Sequence, residues 1–518
     1  MTTARTRRDF LGDIGKGMLI AAIGPALAAD LGLAEEPNAS QEAITFGTLE
    51  GLVGQLQETP LKNLNAFLVD KIRNGTDLKT LTAAAALANA RSFGGEDYVG
   101  FHTMMALGPA YRMSQELPAE LAPLPVMKVL YRNTNRIAEH GGRAAEVLHA
   151  VAARAPSSAF TSESLRAAVR AKDVKQAEMI FAGIARTGAE EAFNALLMTV
   201  QDNTEVHRVV LPYRAWDMLQ LTGKEQAEVL LRQSVRYCVK AESWQHSPAW
   251  DRPREVLPAM LEKYKLMEKP PGNKTLDDAA AEKLSITIFS SSPDDAAEAA
   301  ASALADGIAP DVVGEAISLA ANQLILRDAG RTARDEVAGK PIGSVHGDSI
   351  GVHACDSANA WRNMARAANA RNTYACLILG AYQVALDRIS RGGNFLTWEP
   401  LPLKQHIDGI HSQAPDALLS EAEEAIRGNL QARAAAIVFR YGQLEHPSRD
   451  MFNLMLKYAV SEDGSLHAEK FYRTTSDEFA NTRPALRWRQ LVALARVTAS
   501  EYGRPAAGMA EAREMLKV

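Results

Sequence analysis

Three cysteines in 518 residues, Cys238, Cys355 and Cys376, are too few and odd in number for a disulfide framework. No CxxC or haem-attachment CxxCH occurs, and iron–sulfur ligation, which takes about four thiolates, is excluded. Aromatic residues are only 6%, against abundant alanine, which disfavours a β-sandwich and favours helices. Neither sign of charge dominates: 57 Lys and Arg against 62 Asp and Glu leave a net charge of −5. Nothing electrostatic therefore draws the chain to nucleic acid, and no apolar run is long enough for a stable membrane anchor. HExxH, EF-hand, P-loop and Rossmann fingerprints are missing. Gly343-Ser344-Val345-His346-Gly347 only imitates a nucleophile elbow, because Ile342 and His346 stand where that turn needs glycines.

What is present is helical periodicity. From about Ala43 onward apolar residues recur at three- and four-residue steps, as in Ala144–Val151, Ala296–Leu304 and Ala432–Phe439. Leu284–Phe289 is the best strand candidate, and its pattern equally fits a helix. Breakers at Glu268–Asn273, Gly339–Gly351 and Gly392–Asn394 separate the helical runs. The expected fold is all-α, with multi-helix repeats of TPR- or HEAT-like packing in a compact array. The expected organisation is an N-terminal segment over 1–34, a helical half over 35–267, a linker over 268–285 and a second half over 286–518.

The chain repeats itself. Asp173, Ala177, Gly188, Ala192–Leu197 and His207 are matched in order by Asn429, Ala434, Gly442, Met451–Leu456 and His467. Asp295, Ala299–Leu304, Gly307, Val313–Leu319 and His353 follow the same order across a polar insertion at 328–351. Asp77, Ala83–Ala90, Gly94 and His102 make a shorter version. After His102, His207 and His353 an Ala-aromatic step follows two helical turns on, at Ala110-Tyr111, Ala215-Trp216 and Ala360-Trp361. Such units cannot bury their apolar faces alone and must pack on one another.

If equivalent positions face a common axis, His102, His207, His353 and His467 meet there. Four neutral imidazoles suit a transition metal, Fe, Cu or Zn. Asp77, Asp173, Asp295 and Asn429, which open the repeats, are candidates to orient the rings. Asp356 and Ser357, one turn past His353, are candidate catalytic groups near the same centre. The polar run Tyr131-Arg132-Asn133 with Asn135-Arg136 is a candidate anion site or a solvated face. Two functions follow. One is a metal-dependent oxidoreductase or hydrolase acting on a small molecule; the other is a non-catalytic scaffold binding a protein or peptide of the cell envelope, whose histidines are dispersed.

The N-terminus carries an address. Thr6-Arg7-Arg8-Asp9-Phe10-Leu11, the apolar Gly17–Gly24 and the small-x-small Ala26-Leu27-Ala28 resemble a twin-arginine signal peptide. The resemblance implies recognition by the twin-arginine (Tat) translocase and export of a folded protein to the bacterial periplasm or beyond. The His-led helices of the repeating mature chain resemble questin-oxidase-like proteins, helical enzymes linked to Baeyer–Villiger oxidation; no residue role is carried over from them.

Overall fold

The computed structural model describes residues 42–518 apart from 152–157, 245–246, 339, 346, 348 and 391–392. The proposed signal sequence lies outside the described residues, as do His346 and Asp348. The described chain is all-α, and Phe46–Val518 forms one compact unit.

Seventeen of its helices account for the architecture. The first unit holds α1 (Leu61–Arg73), α2 (Leu78–Phe93), α3 (Tyr98–Ser114) and α4 (Pro123–His140). The second holds α5 (Val174–Ala185), α6 (Ala189–Val200), α7 (Val206–Thr222) and α8 (Ala227–Ala241). The third holds α9 (Pro293–Ala305), α10 (Pro310–Leu326), α11 (Ile350–Ala367) and α12 (Ala370–Ser390). The fourth holds α13 (Gln431–Gln443), α14 (Ser448–Ser461), α15 (His467–Asn481) and α16 (Trp488–Glu501), and α17 (Met509–Leu516) follows it.

Helix starts are chemically marked. Asp77, Asp173 and Ser292 each accept the backbone N–H three residues on, which satisfies a donor that the first turn leaves free. Pro123, Pro293 and Pro310 open their helices where a missing N–H costs nothing.

The packing plan is the same in every unit. The fourth helix touches all three of its predecessors: α4 packs on α1, α2 and α3, and α8, α12 and α16 do likewise. The contacts between units come in two kinds. The second helix of the first unit packs on α7 and α8, just as α10 packs on α15 and α16. The chain is thus a pair of two-unit halves. They share one centre, where the third helices form a closed cycle: α3 on α7, α7 on α11, α11 on α15, α15 on α3. Outside the cycle, α17 packs on α1 and α4, and Asn65 donates to the carbonyl of its N-cap Gly508 and to its Glu511 carboxylate.

The structure decides one open reading and corrects another. Leu284–Phe289 lies inside a helix, Asp278–Ser290, capped by Asp277, which buries Ser285, Ile288 and Phe289 and leaves Ile286 exposed. The first unit is not a shortened version. It has four helices like the others, and Asp77 caps its second helix, not its first. The expected 268–285 connection divides into an irregular stretch and the opening turns of the Asp278–Ser290 helix.

Candidate metal centre

Each third helix begins with its histidine. His467 opens α15, His207 is second in α7, His353 fourth in α11 and His102 fifth in α3. The four helices run parallel. Asp356 of α11 meets Thr474 of α15, and Asn359, Asn363 and Arg366 further down meet Asp477, Glu478 and Asn481. On the other side Arg112 of α3 reaches Asp217 and Gln220 of α7. The N-terminal ends therefore gather at one end of the cycle and bring the four imidazoles together.

The rings form two doublets. Nε2 of His102 and Nε2 of His207 are 3.2 Å apart, and Nε2 of His353 and Nε2 of His467 are also 3.2 Å apart. Ring centroids around the cycle lie 4.8 Å (His102–His207), 6.0 Å (His207–His353), 5.1 Å (His353–His467) and 5.5 Å (His467–His102) apart. The doublets follow the two-unit halves of the fold. Among the described residues, no group of three or more His, Cys, Asp or Glu side chains is arranged to hold a metal ion as it stands. The pairs are close within each half and wider between halves.

The tautomers follow from the partners. Nδ1 of His102 lies 2.7 Å from the Tyr98 carbonyl, Nδ1 of His207 lies 2.7 Å from the Glu205 carboxylate, and Nδ1 of His467 lies 3.1 Å from the Ser465 carbonyl. Carbonyl and carboxylate oxygens only accept, so each Nδ1 carries the proton and each neutral ring turns an Nε2 lone pair inward. Between His102 and His207 two lone pairs face each other with no hydrogen between them. A positive charge between the rings, a proton or a metal ion, relieves such a contact. Protonation is opposed: burial, then the nearby Lys470 charge and the other rings, holds His102 and His467 well below the usual histidine range.

The support is built locally. Glu205 caps α7 through the Arg208 N–H (2.9 Å) and takes the Tyr237 hydroxyl (2.8 Å) as well as the His207 ring. Burial alone pushes its carboxyl up; the adjoining His207 ring and these donors outweigh it and bring it down to about 2. Ser465 and Leu466 both adopt left-handed φ, 49° and 67°, immediately before His467. Non-glycine residues pay about 1–3 kcal/mol each for such geometry. Here it turns the Ser465 carbonyl back onto the ring. Phe101 stacks on His102 at 4.9 Å, and the exposed Tyr98 ring sits 4.4 Å from the same imidazole. His102 and His467 are buried, His207 and His353 partly exposed, so the centre is reached from the latter side.

Of the other sequence candidates, Asp356 lies buried below the rings, accepting from the Thr474 hydroxyl at 2.7 Å, and burial raises its pKa. Ser357 points away into its own unit, accepting from Gln383, which in turn accepts from the Trp361 indole. The proposed ring-orienting residues are a correction. Asp77 and Asp173 spend their side chains on capping their own helices, Asp295 binds Ser292, and Asn429 donates to the Ala499 and Tyr502 carbonyls. The cationic run on α4 is engaged too: Arg132 pairs with Asp463 and Arg136 with Asp97. It walls a cavity of about 340 Å³ between Val99 and Leu466, at the seam of the first and fourth units. Sequence reasoning missed Glu205, Lys470 and Arg214. Only Glu205 left a signal, an acid two residues ahead of a repeat histidine.

No family model matches the chain, and no curated protein or solved structure shows significant similarity to it.

Proposed function

We propose that the four imidazoles are a transition-metal centre, for Fe, Cu or Zn, in an oxidoreductase or hydrolase that acts on a small molecule. The observation that supports this reading is the orientation of the rings. Three Nδ1–H groups are held by acceptors, and the Nε2 atoms meet in pairs at 3.2 Å. A tetrahedral ion with M–N near about 2.05 Å separates its nitrogens by about 3.3 Å, so each doublet already has a chelating span. A four-histidine set would need the two halves of the fold to close on each other. When bound, such an ion supplies Lewis-acid polarisation or an acidified water. The protein's own part is to hold the ring tautomers through Tyr98, Glu205 and Ser465 and to shield one side with Phe101. The scaffold reading expects scattered histidines and a broad groove; these rings meet, and the array closes on itself.

The same reading includes export. The Arg7-Arg8 signal would deliver the folded, metal-loaded chain through the Tat translocase to the periplasm or the exterior. Elemental analysis of exported protein tests the centre. Occupancy approaching one metal per chain, lost in His207→Ala and His353→Ala, is the expected result; under about 0.2 per chain, indifferent to both substitutions, removes the centre. Replacing Arg7-Arg8 by Lys-Lys is expected to keep the precursor in the cytoplasm, and undiminished export refutes the signal.

A further inference from the structure

Below the imidazoles, one to two turns down the cycle, the core is charged. Arg214 stands seven residues after His207 on α7, Lys470 three residues after His467 on α15, and Asp356 three residues after His353 on α11. All three are buried, at 2% exposure each. Two cations thus face one carboxylate. The other carboxylates near this layer are committed: Glu469 pairs with Lys128 at 2.6 Å, Asp477 takes Asn359 and Asn363, and Asp217 faces Arg112.

Arg214 is also under-satisfied. Its Nη2 reaches the Thr474 hydroxyl at 3.3 Å, and the guanidinium lies 4.9 Å from the Tyr213 ring centroid. Its Nε–H and both N–H bonds of Nη1 meet no acceptor. A guanidinium sealed from water with idle donors is expensive, because the hydration it gives up is not replaced. Asp356 does not replace it: its Oδ1 accepts from Thr474, and the idle Arg214 donors reach neither of its oxygens. The missing partner is a group with negative charge and more than one acceptor oxygen. The guanidinium fork pairs bidentately with carboxylate and with phosphate, and a planar carboxylate is the smaller of the two.

We infer that the layer beneath the histidines is a binding site for one small carboxylate, received by the idle N–H groups of Arg214 with Lys470 beside it. The inference needs no metal. It rests on a charge imbalance and unsatisfied donors, and it stands or falls apart from the proposed centre above.

The probe is sodium formate, titrated into the full-length protein before and after chelator treatment, with sodium chloride at matched ionic strength as the reference. Calorimetric heat and Tm are the readouts. The expected result is saturable binding of formate, with a Tm rise, that formamide does not reproduce. Arg214→Met should weaken it at least tenfold and Lys470→Met severalfold. Absence of saturation overturns the inference. So does equal affinity in wild type and Arg214→Met, which leaves an adventitious ion only. Should Arg214→Met fail to fold, Arg214→Lys keeps the charge but loses the planar fork. Severalfold weaker binding in that variant supports the site, and unchanged affinity in both Arg214→Lys and Lys470→Met refutes it.

Discussion

Glu205→Gln isolates the device that aims a histidine. The carboxylate is 11% exposed and accepts from His207, Tyr237 and the Arg208 N–H. Its carboxyl is lowered from 4.5 to about 2. A depressed acid contributes stability that is complete above its unfolded pKa and lost as pH falls through the folded one. A shift of about 2.5 units corresponds to about 3 kcal/mol at pH 7. At pH 3, between the folded and unfolded pKa values, the linkage leaves less than half of this. The amide keeps the shape and loses the charge. Urea unfolding at pH 7 should therefore show Glu205→Gln less stable by about 3 kcal/mol, and the gap should at least halve by pH 3. Freed from its carboxylate, the His207 ring should also bind metal about 10–100-fold more weakly. A variant as stable as wild type at pH 7, or a gap that stays constant as the pH falls, refutes the assignment of Glu205 as a charged positioning residue.

Other parts of the fold make separate predictions. Arg362, buried, donates to the buried Glu478 at 2.7 Å and to the Asn481 carbonyl; Arg362→Met should cost about 3–5 kcal/mol in chemical denaturation, and adding Glu478→Leu should recover part of it. Gly95 has φ +78°, and an added Cβ would lie 2.4 Å from the Gln233 carbonyl oxygen; Gly95→Ala should lower stability by about 1–3 kcal/mol, read as a reduced urea midpoint. Cys238, Cys355 and Cys376 are free and buried, and burial pushes all three thiols up; a thiol reagent should label none in the native protein and all three in denaturant, and rapid native labelling would contradict the packing.

The helical class was legible because the three- and four-residue apolar step is a direct image of a buried helix face. The repeat was legible through its histidines, which all fall within the first five residues of each third helix. The count of helices in the first unit was not. Asp77 before an alanine-rich run looks the same whether it caps a first or a second helix, and only packing of α1 on α4 tells them apart. The ring-orienting groups were misread for a related reason. A capping aspartate is conspicuous in sequence but spends its oxygen on its own helix. Two of the true partners, the carbonyls of Tyr98 and Ser465, are main-chain atoms that any residue supplies. Nor does spacing reveal a missing partner: Arg214 reads as an ordinary helical arginine until its surroundings are known.

The closed cycle of third helices has a consequence for biosynthesis. His102 emerges from the ribosome early, yet one of its two neighbours, His467, is added more than three hundred residues later. The first doublet can form before the fourth unit is made, and the ring waits for that unit. Its completion joins the first and fourth units, with α17 packed on α1 and α4 as a lock. A permuted chain, cut between the halves and rejoined at that lock, would reverse the order in which the doublets appear and leave the finished ring unchanged.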